Sequence, residues 1–494
     1  MSQRLPPAPV FCKRRAGVLL HPTALPGAEG KLGRPARHFI DLLCDAGMTV
    51  WQTLPTGPTH PDLSPYQSLS AHAGNPDFID LHELVTAGLL TTPELEQQER
   101  TGSLASAADR FLAGNYQPDA AINQATWEQY VINHGHWLDD FALFIAIRDS
   151  LSGTPWYDWP MPLRQRQSEA IEAFRLEHQR ALEQVRFEQF LFHSQWQAMR
   201  RYARDRGVLL FGDIPIFVAH DSADVWANPE VFRLDSQGHP IVVAGVPPDY
   251  FSPDGQHWGN PLYDWTAMAR QNYRWWIERL ASQREEFDLL RIDHFRGLQA
   301  FWEIPAADPK PINGHWVAGP ADAFLAACFE QLPDLPLVAE NLGVIGEDVE
   351  ALRHRFGMPG MTVMQFGFDG SSDNPHLLHN HKQEDLVYTG THDNDTTLGW
   401  YRSLDENTQN YVNRYLRVAD DNQPWPVIQT AISSVSKLVI IPMQDLLSLD
   451  SHARFNTPGT LSNNWIWQLP VNFHEHLDTG SIKALLQLYG RNTG

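Results

Sequence analysis

Eight short, nearly unbroken apolar runs recur along the chain, each followed by a loop and then by helix-like sequence. The candidate strands are residues 17–21, 49–55, 208–217, 288–295, 337–342, 361–368, 386–393 and 438–447. Runs of Val, Ile and Leu without strict alternation suit strands covered on both faces, as in a parallel sheet. Helical periodicity falls between them, at 36–46, 187–204, 272–283 and 349–356. In 187–204, Phe187, Phe190, Leu191, Ala198, Met199 and Tyr202 share one side at 3.6 residues per turn. Gly47 supplies a helix stop just before the second strand. Eight strands alternating with helices predict an α/β chain folded as a (β/α)8 TIM barrel, ahead of an open doubly wound sheet.

A barrel with insertions accommodates all 494 residues as one catalytic unit, 1–494. Two stretches break the rhythm. Residues 56–186 are long, partly helical and punctuated by proline, as in TPWYDWPMP; residues 218–270 are rich in Pro, Gly, Asp and Trp. Structureless loops of that length are rare in compact domains, so both read as subdomains inserted on the C-terminal rim, the first largely helical and the second loop-rich.

At that rim, three apolar runs end in acids: LLRIDHFRG with Asp293, LVAENLG with Glu340 and LVYTGTHDND with Asp393. LLFGDIPIF puts Asp213 in similar surroundings. The C-terminal ends of parallel barrel strands converge on one mouth, so acids far apart in the chain meet there. One such Asp beside an Arg, as Asp293 beside Arg291, reads equally well as a structural ion pair. Three at the ends of separate strands do not, because burying carboxylates without a task is costly. A retaining glycosidase uses such a set, one carboxylate as nucleophile and another carboxyl group as acid/base.

His294 and His392 flank these acids and read as structural residues before metal ligands. Asp393, Asn394 and Asp395 begin like a calcium loop but lack its downstream Gly and Glu, so no metal site is expected. Phosphate-loop, dinucleotide, serine-hydrolase and zinc-protease signatures are missing, which predicts no cofactor. A net charge of −22, with only Lys13, Arg14 and Arg15 as a compact basic run, argues against nucleic-acid binding. The three scattered cysteines, the lack of a leader-like apolar stretch and the lack of any span of roughly 18 apolar residues predict a cytoplasmic protein without membrane contact. Of the 17 tryptophans, Trp156, Trp159, Trp226, Trp258 and Trp265 fall in or beside the suspected inserts, where flat rings either pack or stack on sugars.

Longer blocks carry a resemblance. They run in order from GVLLHPTALPG, WQTLPTGPT and SPYQSLSAHAGNPDFIDL through FGDIPIFVAHDSADVWANP and AGVPPDYFSPDGQHWGNPLYDW. LLRIDHFRGLQAFWEIP, LVAENLGVI, YTGTHDNDTTLGW, IPMQDLLSLDSHARFNTPGT and NNWIWQLP complete them. The chain resembles the amylomaltases, 4-α-glucanotransferases related to the α-amylase group, nearly end to end. The resemblance implies Asp293 as nucleophile, Glu340 as general acid/base and Asp393 as the third carboxylate. It implies Arg291 close enough to keep Asp293 ionised, Asp213 and His392 lining the donor subsite, His294 among the substrate-binding residues, and Tyr66, Asp249, Tyr250, Phe251 and Trp258 in loops shaping the groove. The substrates implied are α-1,4-glucans and maltooligosaccharides, with glucose or an oligosaccharide as acceptor, and a monomer or weak oligomer needing no cofactor. Hydrolysis by the same machinery and inactive glucan binding are the rival readings. The chain departs from the family pattern at Asn341, where Asp is usual after the acid/base. It departs again in HPDLSPYQ, which lacks the glycine-rich approach, and at Asn463 and Gln468, where Gly and Arg are commoner.

Overall fold

The computed structural model describes residues 4–27, 30–248, 254–418 and 424–491. Eight parallel strands, taken in chain order, wrap into a barrel: β1 (Arg15–Leu19), β2 (Val50–Gln52), β3 (Leu209–Pro215), β4 (Leu289–Asp293), β5 (Leu337–Ala339), β6 (Gly360–Val363), β7 (Asp385–Tyr388) and β8 (Leu438–Pro442). Each pairs with its sequence neighbour and β8 pairs with β1, so the ring is complete except for a broken ladder between β5 and β6. The strands are short and buried: every residue of β7 and β8 is buried, as apolar runs covered on both faces must be. Gly17 lets β1 approach β2, since a Cβ there would lie 2.5 Å from the Val50 carbonyl oxygen.

All eight expected strands form, and each ends earlier than its expected run. The run 438–447 is a strand only to Pro442; Met443–Leu446 is a short helix whose four residues are all buried. Likewise Met364–Gly367, after β6, is a 3-10 turn. Past β6 and β8 apolar sequence continues because these connections pack over the barrel, where Met364, Gln365, Gly367 and Met443 to Leu446 are buried.

Residues 56–186 hold several helices, the longest being Gln124–Ser150, capped by Asn123 with Thr126 as its reciprocal partner. This helix packs along Gln179–Asp205, where Phe187, Phe190, Leu191 and Met199 are buried while Ala198 and Tyr202 are half-buried. Phe111, Trp127, Phe187 and Phe190 interlock at the contact, with ring centroids 4.5 to 6.1 Å apart. Trp156, Trp159 and Trp226 are core residues here, which removes them from any sugar-stacking role.

A second, antiparallel sheet was not legible in the sequence. Its order is Gln256–Pro261, Val242–Val246, Ala300–Pro305, His315–Ala318. Val242 to Gly245 pairs with Pro305 to Trp302, so the stretch after β3 is stitched to the hairpin after β4. No helix among the described residues is long and apolar enough to cross a membrane.

Candidate active site

Two-residue alternation builds the centre. In β4, Leu290 and Ile292 are fully buried on one face, which turns Arg291 and Asp293 to the other. Register sets Asp213 of β3 opposite Arg291 and Pro215 opposite Asp293. That face is the barrel interior: Tyr388 of β7, which reaches across to donate to Gln52 Oε1 of the non-adjacent β2 at 2.9 Å, lies within the field of both Arg291 and Asp213. Arg291 holds Asp213 with two parallel bonds, Nε to Oδ1 and Nη2 to Oδ2, both 2.9 Å. The same Nη2 lies 2.6 Å from Asp293 Oδ1. Side-chain exposure separates the two acids: Asp213 has none, whereas Asp293 keeps 32% and faces the cleft. Asp213 thus satisfies the arginine, and Asp293 is the partner free to meet a ligand.

Glu340 follows β5 directly. Its backbone continues along β4, donating to the Ile292 carbonyl at 3.0 Å and accepting from Phe295 N–H at 3.1 Å. Its carboxylate accepts from His294 N–H at Oε2 and from Leu342 N–H at Oε1, each 2.7 Å. His294 directs its N–H there because its backbone is left-handed, with φ 54°, a conformation that costs a non-glycine residue energy and persists where the surroundings enforce it. The His294 ring is buried, which pushes its pKa down to about 3 and keeps it neutral. Trp258 meets that ring edge to face, centroids 4.8 Å apart.

Asp393 lies beyond β7 in a turn pinned from below. Asp445, wholly buried, accepts from the Thr389 hydroxyl at 2.6 Å and from the Thr397 amide and hydroxyl at 2.7 and 2.6 Å. Tyr66 connects this turn to the Arg291 centre. Its hydroxyl donates to Asp213 Oδ2 at 2.7 Å, leaving its oxygen to accept from His392 Nε2–H at 2.9 Å. The two rings stack, and His392 Nε2 lies 3.4 Å from Asp393 Oδ1. Burial lowers the His392 pKa, so the imidazole is neutral and donates as that tautomer.

Electrostatics couple the acids. Burial pushes Asp293 well above the ordinary aspartate value and Glu340 above the ordinary glutamate value, and Arg291 opposes the shift at both. Arg291 favours the ionised form of both groups and touches Asp293 directly, while the two amide bonds also favour the ionised form of Glu340. A cleft with one charged and one protonated carboxyl group can attack a carbon and protonate a leaving oxygen together.

The family model described as 4-alpha-glucanotransferase matches residues 20–473. The chain belongs to the 4-alpha-glucanotransferase family. The 4-alpha-glucanotransferase of Thermus thermophilus is 44% identical over 473 residues, 92% of this chain and 95% of that protein. The chloroplastic/amyloplastic 4-alpha-glucanotransferase of Arabidopsis thaliana is 42% identical over 99% of this chain and 88% of its own. Among solved structures, amylomaltase from Streptococcus agalactiae in complex with acarbose superposes with a TM-score of 0.91 at 34% identity, covering 97% of this chain and 100% of that one. The fold and the glucanotransferase activity expected from the sequence therefore hold.

Within this cleft, Tyr66, Asp213, Arg291, Asp293, His392 and Asp393 form one network of polar contacts, and His294 with Glu340 forms a second, joined to it through the peptide between 293 and 294, with Trp258 against His294. Asp249, Tyr250 and Phe251 lie outside the described residues. Three contributors were not singled out from the sequence. Asn456 donates to Asp393 Oδ1 at 2.6 Å, and Arg454 Nη2 donates to the Asp393 carbonyl at 2.7 Å. Trp465 packs beside Tyr66 and His392, centroids 6.1 and 6.0 Å away. The blocks HARFNTPGT and NNWIWQLP contain them, but nothing in a polar loop marks which side chain turns inward.

Proposed function

We propose that the cleft moves α-1,4-glucan segments between maltooligosaccharides by two displacements with retained configuration. Asp293 attacks the anomeric carbon of the donor; the bond to the leaving glucan's oxygen breaks, and that oxygen takes the proton of Glu340. The product is a glycosyl ester on Asp293. An acceptor sugar then enters, Glu340 removes the proton from its 4-hydroxyl, that oxygen attacks the anomeric carbon, and the ester bond breaks. Asp393, anchored by Asn456 and beside His392, holds sugar hydroxyls and stabilises the positive charge that develops on the ring. Asp213, Tyr66, His294 and His392 frame the donor sugar, with Trp258 toward the groove.

One observation carries this reading: Arg291 grips Asp293 at 2.6 Å, while the Glu340 carboxyl, whose charge Asp293 feels, is held by two backbone amides. The two roles require Asp293 charged and Glu340 protonated, and the direct guanidinium contact supports the charge on Asp293. The acarbose bound by the Streptococcus agalactiae amylomaltase supports a glucan-type ligand. The free thiols of Cys12, Cys44 and Cys328 support a reducing compartment such as the cytoplasm.

Incubation with maltotriose tests the acceptor. A ladder of longer oligosaccharides together with glucose is expected on a chromatogram; shortening alone would mean that water is the acceptor.

The pH profile tests the paired acids. The active form carries one proton on the Asp293 and Glu340 pair, so activity falls when a second proton binds and again when the last one leaves. Because burial raises both groups, kcat/KM against pH should be a bell whose two limbs lie above the ordinary carboxylate range of about 4. An alkaline limb at an ordinary glutamate value would contradict it.

A further inference from the structure

The hydrogen-bond ladder runs from β6 through β8 and β1 to β5 and stops at one joint, between β5 and β6. Two bonds cross that joint. Ala339 N–H donates to the Pro359 carbonyl at 2.9 Å, and Met361 N–H donates to Asn341 Oδ1 at 2.7 Å. The other end of the same side chain, Asn341 Nδ2, donates to Glu350 Oε1 at 2.6 Å. Glu350 Oε2 accepts from Arg353 Nη2 at 2.6 Å, and Arg353, only 1% exposed, also donates from Nη1 to the Met358 carbonyl at 2.9 Å. Asp385, where β7 begins, lies 3.5 Å from Arg353. The absent side chain of Gly360 leaves room for this, since a Cβ there would come within 2.9 Å of both Asn341 amide atoms.

We infer that Asn341 is a positioning residue for the acid/base, its side-chain amide replacing the missing rung between β5 and β6 and so fixing where the Glu340 carboxyl sits. Glu340 is the preceding residue, and one of its two amide donors, Leu342 N–H, is the following one. Both are carried by the stretch that Asn341 fastens to β6. Loosening this joint would move the carboxyl and misalign both amide bonds. The polarity of the amide matters. Its oxygen must accept from a backbone N–H, and its nitrogen must donate to a carboxylate. Burial pushes Glu350 upward, but its bonds from Arg353 and Asn341 outweigh that and hold it below the usual glutamate range, so it remains an acceptor.

The inference rests on Glu340 as acid/base, which Glu340→Gln tests separately; normal turnover by that variant would defeat the reading itself. Asn341→Ala, assayed with maltotriose, should lower kcat between about tenfold and a hundredfold with KM changed less than about twofold. Its alkaline limb should move upward, because the amide bonds that favour ionised Glu340 are weakened. Asn341→Asp should lose a similar amount, since it sets a carboxylate against Glu350. Adding Glu350→Gln restores a donor facing that position and should bring kcat back to within about threefold of the parent. An inactive Glu340→Gln beside a folded Asn341→Ala with the parent's kcat and pH profile overturns the positioning role alone. If Asn341→Ala does not fold, the other two variants decide: a double variant no better than Asn341→Asp overturns it as well.

Discussion

Asp293→Asn is expected to lower kcat for maltotriose disproportionation by at least about four orders of magnitude, as loss of a covalent nucleophile does elsewhere. The fold should survive. Asn matches Asp in shape, the side chain is 32% exposed, and Arg291 retains its two bonds to Asp213. Glucose release would be followed together with a thermal melt. A folded variant within tenfold of the parent rate would remove Asp293 from the chemistry.

Arg291→Met should damage stability and activity together. The guanidinium is 3% exposed and serves Asp213, itself 2% exposed, as well as Asp293. Removing it leaves a wholly buried carboxylate with the Tyr66 hydroxyl as its remaining strong partner. Breaking a buried pair from one side costs roughly 3–5 kcal/mol, which should appear as a melting temperature lower by several degrees. Turnover should fall as well, because Asp293 loses the cation that opposes its upward shift and retains a proton where a charge is needed. Combining Asp213→Asn with Arg291→Met separates the two effects. That pair should regain part of the stability and none of the rate; a melting temperature unchanged in Arg291→Met would show that the pair does not support the fold.

The barrel was legible because its strands are dry on both faces, so composition alone marks them. Their ends were less legible: Met364 and Met443 look like strand residues but sit in turns that are equally buried. The antiparallel sheet escaped because Val242–Val246 finds Ala300–Pro305 far along the chain, and Gly245, Trp302 and Pro305 blur its alternation. At the cleft, Asp293 and Glu340 could be found because an acid closing an apolar run is conspicuous. Asn456 and Arg454 could not, since their positions follow from how the segment after β8 folds back over Asp393. Asn341 could be seen as a departure from the family pattern, but its use as a rung depends on a gap in pairing that only the assembled ring reveals.

The unladdered joint between β5 and β6 also divides the three acids of the cleft into two mechanical groups. Asp293 and Glu340 ride on adjoining staves to one side of it, tied by backbone, whereas Asp393 hangs from the arc on the other side, held by Asn456 and Arg454. A hoop with one weak stave joint spreads there first. Thermal breathing of the barrel should therefore move Asp393 relative to the other two before it alters the spacing between Asp293 and Glu340, and on the proposed roles mild warming should loosen substrate affinity ahead of the chemical step.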